Sequence, residues 1–204
     1  MNTQIRQYCE DRIAEFSSIS DERRTLLTKL ANYISEKGIK AEPIHLVYIC
    51  THNSRRSHFG QVWAHIASRY FNVPNVFTYS GGTEATAFNI NAINALRKVG
   101  FNVSANDEIS SNPIYHLRFD DSEAPIICFS KVYDHIDNPS SGFAAIMTCS
   151  DAEQNCPFIP GVELRIGTTY DDPKAFDNTS QQDEKYSERC AQIAREVLFV
   201  FSLV

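Results

Sequence analysis

Apolar residues recur along this chain at two different periods. In the first forty residues, Ile5, Tyr8, Ile13 and Phe16 fit one loose helical stripe, and Leu26, Leu27, Leu30 and Ile34 fit a second at 3.6-residue spacing. Ser20 followed by Asp21 and Glu22 supplies an N-cap and an acidic first turn for the second helix, and Gly38 is a natural stop. Pro43 then punctuates before "IHLVYIC", a run of the buried-strand kind. From there strand and helix alternate. "HLVYIC" predicts a strand, Ser57 to about Phe71 a helix, and Asn75–Ser80 a second strand. "AFNINAINALRKVG" predicts a helix with Leu96 and Val99 inward and Gly100 at its end. Gly142–Cys149 predicts a further strand. The last segment, "DEKYSERCAQIAREVLFVF", predicts a helix with Tyr186, Cys190, Ile193, Val197 and Val200 at helical spacing. Tyr115–Phe119 and Pro125–Val132 flank the turn-like "DDSEA", which predicts a β-hairpin or a pair of edge strands.

Alternation of this kind implies an α/β fold, a doubly wound parallel sheet with helices on both faces. Residues 1–42 divide off as an N-terminal helical extension and 43–204 as the main domain. The simplest role for the extension is a packing cap; a dimer surface or a partner site is the alternative. In doubly wound sheets the reactive site sits beyond the carboxyl ends of the strands. Cys50 and Cys149 both lie at such ends.

Composition narrows the classes. A chain of 204 residues with 43% apolar content can bury one sizeable core and is short for two full domains. A formal net charge of −6 argues against a general nucleic-acid binder, which needs a basic face for phosphate contacts. No apolar run approaches the ~20 residues of a membrane span. The opening "MNTQIRQYCEDR" has charges and glutamines where a signal peptide needs its apolar core. The expectation is a cytoplasmic protein, in which thiols stay reduced unless redox is their task. The six cysteines are then core fillers or catalysts rather than a disulfide framework. Cys128 and Cys190 fall on apolar stripes and fit the core, as does Trp63, while Cys9 fits a helix surface or packing position. The histidines form no ligand cluster, and no metal site or cofactor is implied. His58 and His65, seven apart, can share a helix face, but two ligands make no metal site.

Cys50 through Arg56 has the form C-x-x-x-x-x-R, followed by Ser57. A loop between a strand end and a helix start leaves backbone N–H groups unpaired, and the helix dipole adds positive potential. The amides of Thr51, His52, Asn53, Ser54, Arg55, Arg56 and Ser57 can thus form a nest for a tetrahedral oxyanion. Arg56 adds a bidentate fork. The Cys50 thiolate is favoured in the same field, and the Ser57 hydroxyl can stabilise it during attack or departure. Asn53 tolerates left-handed backbone, so it can bend the loop and pin it by side-chain hydrogen bonds. The ordinary alternative is a strand-end cysteine followed by surface arginines.

"ICTHNSRRS" resembles the phosphate-binding loop of low-molecular-weight protein tyrosine phosphatases and of their relatives, the thioredoxin-coupled arsenate reductases. "YSGGTEA" resembles the family's second strand and following loop, with Ser80 at the position that supports the phosphate loop. The likeness covers roughly residues 44–110 and 141–204, and leaves the N-terminal helices and the inserted hairpin unmatched. "MTCSDAEQNCPFIPG" is similar to the reductase branch, whose two resolving cysteines flank such a segment; Cys149 and Cys156 stand there. The chemistry agrees: a thiol–arsenate adduct on Cys50 needs a second thiol to expel arsenite, and a third to carry the disulfide outward. Two unrelated core thiols, or a zinc half-site, are the alternatives for that pair. "TYDDPKAF" resembles the family's Asp-Pro loop, which implies Asp172 as the acid near the oxyanion, with Asp171 as its neighbour.

Three positions depart from the family. His52 stands where relatives usually have Gly, which asks of the loop a conformation that His tolerates less readily. Arg55 adds a charge that either faces solvent or strengthens anion attraction. Gln61 stands where the reductase branch often has a Glu that forms part of a potassium site, which puts that cation in doubt. The leading expectation is an arsenate reductase-like enzyme working through Cys50, Cys149 and Cys156, with thioredoxin or a similar dithiol protein as reductant and a small oxyanion as substrate. A phosphatase acting on phosphotyrosine or small phosphoesters through a phosphocysteine is the first alternative. A non-catalytic oxyanion-binding module is the second.

Overall fold

Four strands carry the site: β1 (Ile44–Cys50), β2 (Val76–Gly82), β6 (Phe143–Met147) and β7 (Val162–Gly167). In the computed structural model, which describes residues 1–107, 109–155 and 158–204, they form one parallel sheet in the order β2-β1-β6-β7. β1 lies inside the sheet, and its run "IHLVYIC" is buried throughout apart from His45, as an interior strand requires. The helices are α1 (Thr3–Ala14), α2 (Asp21–Ile39), α3 (Arg56–Tyr70), α4 (Ile90–Val99), the short α5 (Ser150–Asn155) and α6 (Gln182–Phe201). The expected α/β class and parallel sheet are therefore present. Alternating side chains of β1 face two cores. Ile44, Leu46 and Tyr48 join the larger one, shared with α1, α2, α3, α4 and α6. Val47, Ile49 and Cys50 join a smaller one with Phe143, Ala145, Met147, Cys149 and Ala152. The second face thus carries one short helix, α5, where full helices on both faces were expected.

The predicted hairpin forms as β4 (Tyr115–Arg118) and β5 (Ile126–Cys128), paired antiparallel. A strand not anticipated, β3 (Asn102–Ala105), pairs with β4 to complete a separate sheet in the order β3-β4-β5. The segment after β5 stitches the two sheets together: the Gly82 amide donates to the Lys131 carbonyl (2.9 Å) and the Tyr133 amide to the Gly82 carbonyl (2.9 Å). A Cβ on Gly82 would lie 2.6 Å from the Thr51 carbonyl oxygen, so only glycine lets the loop after β1 approach this closely.

Helix α6 packs against α1, α2, α3 and α4. Ile5 and Cys9 of α1 and Leu27, Leu30 and Ile34 of α2 are buried in the main core with Trp63, Tyr186 and Cys190. Tyr8 stacks on Trp63 with ring centroids 5.2 Å apart, and the Trp63 indole donates to Cys190 Sγ at 3.3 Å. Each large apolar side chain so buried contributes about 1.5–3 kcal/mol. Burial pushes the thiols of Cys9, Cys128 and Cys190 up to about 12, which leaves them unreactive at neutral pH. No helix among the described residues is long and apolar enough to cross a membrane.

Ser20 caps α2 as expected, accepting from the Arg23 amide at 3.2 Å. Gly38 does not stop it. The helix runs on to Ile39, and Ala41 takes the left-handed conformation (φ +54°) while the Glu42 amide bonds the Lys37 carbonyl at 3.0 Å. The stop is set further along because the Lys37 ammonium bonds both Glu42 (2.8 Å) and Glu163 (2.9 Å), holding the turn closed beyond the glycine. At α4 the expected glycine does serve: Gly100 has φ +115°.

Two histidines of α3 make stability sensitive to acid. Burial lowers His58 to about 3 and His65 to about 4, with Lys131 and Arg69 respectively adding to the effect. Both rings stay neutral in the folded chain but protonate in the unfolded chain below about 6.5. Stability is therefore expected to fall as pH drops from 6.5 toward 4, at about 1.4 kcal/mol per pH unit for each group. Melting temperature measured against pH for the parent and for His65→Gln checks this: the variant's acid limb should be shallower, and parallel limbs would refute the assignment.

Candidate active site

Strand β1 ends on Cys50 and α3 begins at Arg56, so residues 51–55 turn between a strand end and a helix start. The Thr51 carbonyl accepts from the Glu84 amide (2.8 Å), the His52 carbonyl from the Ser130 and Thr86 hydroxyls (3.0 and 3.1 Å), and the Ser54 carbonyl from the Asn89 amide (3.0 Å). Those bonds turn the loop's carbonyls outward. Its own amides donate to no backbone carbonyl among the described residues, and the cavity beside them is lined by Cys50, His52, Ser54, Arg55, Arg56 and Asp172.

Cys50 is buried, with its sulfur 3.1 Å from Ser57 Oγ. Ser57 Oγ already accepts from Asn53 Nδ2 at 2.8 Å, so its own proton is free for the sulfur. Asn53 is the left-handed residue of the loop (φ +44°), and its Oδ1 accepts from the Lys131 amide at 2.9 Å. His52, expected to bear an awkward conformation, does not: it has no positive φ, because Asn53 one residue on absorbs the bend. The His52 side chain stands half-exposed at the mouth, 3.8 Å from Glu84.

The two arginines part company. Arg56 Nη1 donates to the Tyr170 carbonyl (2.8 Å) and Nη2 to Asp172 Oδ2 (2.5 Å), while its Nε is buried without a hydrogen-bond partner among the described residues. Arg55 does not face solvent. Its Nε donates to the Tyr186 hydroxyl (2.7 Å) and its Nη2 to Asp177 (3.3 Å), and Tyr186 in turn donates to Asp177 (2.7 Å). Its charge is held by Tyr186 of α6 and by Asp177, and the residue lines the cavity. Asp172 caps the 3-10 turn Pro173–Phe176 through the Lys174 amide (3.0 Å) and lines the cavity. Asp171 is turned out, with its carboxylate almost fully exposed and 3.6 Å from Arg189.

Cys149 lies just beyond the end of β6, on the strand next to β1. The Thr148 amide and hydroxyl both bond the Ile49 carbonyl (2.7 and 2.9 Å), which locks the two strand ends together. Cys149 Sγ is 3.4 Å from Thr51 Oγ1 and accepts from the Ala152 amide at 3.3 Å, while Thr51 Oγ1 donates to Asp151 Oδ2 at 2.7 Å. Cys156 lies outside the described residues. Ser80 supports α3 rather than the loop itself, meeting His58 Nδ1 (3.2 Å) and donating to Gln61 Oε1 (2.6 Å). Gln61 also donates to the Ile127 carbonyl (3.0 Å), so it is neutral and engaged at both ends. The Tyr170 carbonyl, Tyr186, Asp177 and Asp151 do not stand out in the sequence as site residues; of these, only Asp151 falls inside the cysteine segment.

No family model matches the chain. In sequence it is similar to the arsenate reductase of Bacillus licheniformis, 27% identical over 147 residues, 71% of this chain and 84% of that one. The arsenate reductase of Staphylococcus aureus is 29% identical over 131 residues, covering 63% and 77%. Among solved structures, a low-molecular-weight phosphotyrosine phosphatase from Vibrio cholerae superposes with a TM-score of 0.52 at 15% identity, covering 78% of this chain and 95% of that one. The fold is that of the low-molecular-weight phosphatases. The YwlE arginine phosphatase from Geobacillus stearothermophilus shares it, with a TM-score of 0.51 at 15% identity over 78% and 92%. Sequence likeness thus points to arsenate reductases and architecture to the phosphatase scaffold, which is the pair of relatives that the loop and the cysteine segment resemble.

Proposed function

We propose that this protein is an arsenate reductase working by a thiol cascade. Arsenate sits in the amide nest of residues 51–57 with Arg56 Nε on one of its oxygens, and the Cys50 thiolate attacks arsenic. Hydroxide leaves as water, taking up a proton that Asp172 relays from a second arsenate hydroxyl, and a Cys50–arsenate adduct remains. Cys149 then attacks Cys50 Sγ. The sulfur–arsenic electron pair goes to arsenic, arsenite departs, and a Cys50–Cys149 disulfide remains. Cys156 attacks Cys149, freeing Cys50 as thiolate and moving the disulfide to Cys149–Cys156. Thioredoxin or a similar cytoplasmic dithiol protein reduces it.

The observation that carries this reading is the placement of Cys149: a second thiol at the adjoining strand end, its sulfur against Thr51, whose hydroxyl leads on to Asp151. Thr51 and Asp151 give the attacking thiol a route to shed its proton, and the Ala152 amide steadies the sulfur. In a phosphatase such a thiol would be dispensable or would only protect Cys50 by a reversible disulfide, although Cys50, Arg56 and Asp172 would serve one equally well.

The deciding experiment mixes fully reduced protein with arsenate and no external reductant. One arsenite per chain is expected, with loss of two hydrogens and a disulfide mapped to Cys149–Cys156. Cys149→Ser should accumulate the Cys50 adduct and fail to turn over with thioredoxin; turnover at the parent rate sinks the cascade. Absence of arsenite alongside sustained hydrolysis of an aryl phosphate would make the protein a phosphatase.

A further inference from the structure

Behind the catalytic loop a cavity of about 480 Å³ opens between α3, the outer edge of β2 and the outer edge of β5. Its size falls within the ~300–1,000 Å³ of small-molecule sites. Phe77, Tyr79, Ile127 and Phe129 give it apolar walls, and Phe77 and Ile127 are 47% and 41% exposed. Lys131, which also lines it, is only 5% exposed. Its ammonium sits 4.4 Å from the centroid of the Phe129 ring, and among the described residues no hydrogen bond or ion pair engages it. Asp137 is near enough to favour its charge, but that carboxylate stands on the exposed rim beside His135. Lys131 is thus largely withdrawn from water with only the Phe129 ring face and the rim carboxylate of Asp137 to offset its charge, which is costly. The other cation at the cavity, Arg69, is exposed and faces Glu123 at 3.7 Å, so it does not compete for the interior. His65, also in the lining, has Nε2 buried without a partner among the described residues.

We propose that this cavity is a second ligand site that binds a small aromatic carboxylate, with its anion on the Lys131 ammonium and its ring among Phe77, Ile127 and Phe129. The carboxylate completes the pair that the fold leaves open, and the rings cover apolar surface otherwise in water. An occupant would be felt in the catalytic loop by a short path. The Lys131 amide donates to Asn53 Oδ1, and Gln61, another wall residue, bonds Ser80. The site is distinct from the oxyanion nest, with which it shares no lining residue.

Calorimetric titration of the full-length reduced protein with 2-naphthoate tests the site, with inorganic phosphate present in excess to fill the nest. Saturable binding is expected, weakened about tenfold or more by Lys131→Met, since a hydrogen bond to a charged group is worth about 1.5–3 kcal/mol. The neutral isostere 2-naphthamide should bind parent and variant alike. Should Lys131→Met fail to fold, Ile127→Trp fills the cavity from a half-exposed wall and should abolish binding with an unchanged melting temperature. No heat up to millimolar naphthoate, equal affinity in Lys131→Met, displacement by phosphate, or full binding in Ile127→Trp would each overturn the proposal.

Discussion

Replacing Arg56 with lysine is expected to lower the single-turnover rate of arsenite release about 10²–10³-fold while the chain stays folded. The argument rests on shape rather than charge. Arg56 spends Nη1 on the Tyr170 carbonyl and Nη2 on Asp172, so its guanidinium plane is fixed from one side, and Nε is the buried donor without a protein partner among the described residues. A lysine keeps the positive charge but offers one ammonium on a flexible stem. It cannot hold the Tyr170 carbonyl, the Asp172 carboxylate and an oxyanion oxygen in one plane at once. Asp172 is then free to swing, so the acid is misplaced together with the clamp. The measurement is arsenite released against time at several arsenate concentrations, with far-ultraviolet circular dichroism confirming the fold. An Arg56→Lys variant that reacts at the parent rate would mean that the loop amides alone hold the substrate and that Arg56 only braces the Asp172 loop.

Much of this scaffold was legible because its strands are contiguous apolar runs. "IHLVYIC" and "FAAIM" are interior strands buried almost throughout. β7 escaped notice for the converse reason. At the sheet edge, "VELRIG" interleaves charged and apolar residues, and only Ile166 is buried. Gly38 misled because a glycine marks where a helix can stop, whereas the Lys37–Glu42 and Lys37–Glu163 contacts decide where it does.

The site divides in the same way. Cys50, Asn53, Arg56 and Ser57 lie close together in the chain, so their spacing states their geometry. Arg55 could not be read from spacing. Its partner Tyr186 is 131 residues away on α6, and nothing local distinguishes a guanidinium that will be buried there from one that will face solvent. The Tyr170 carbonyl was invisible for a simpler reason: a backbone group has no residue type.

Removing the Glu196 carboxylate should produce the largest loss of stability away from the loop. Glu196 is 3% exposed on α6, and its Oε2 accepts from Arg23 Nε (2.9 Å) and from the Tyr170 hydroxyl (2.8 Å). Arg23 comes from α2, in the N-terminal extension; its guanidinium also lies 4.9 Å from the Tyr170 ring centroid. Glu196→Ala leaves the buried Tyr170 hydroxyl and the partly buried Arg23 guanidinium without their carboxylate, a loss of about 3 kcal/mol, the low end for a buried pair because Arg23 keeps the Thr169 carbonyl and the Tyr170 ring. At about 2–4 °C per kcal/mol for a chain of this size, the melting temperature should fall by about 6–12 °C. Because the Tyr170 carbonyl holds Arg56, the damage should reach catalysis too, as a raised arsenate KM in whatever fraction stays folded. Adding Arg23→Met to Glu196→Ala removes the stranded cation, so the double variant should be more stable than the sum of the two single losses allows. Simple additivity would mean that Arg23 and Glu196 act independently, and that α2 packs on the domain without bracing the segment that carries Tyr170 and Asp172.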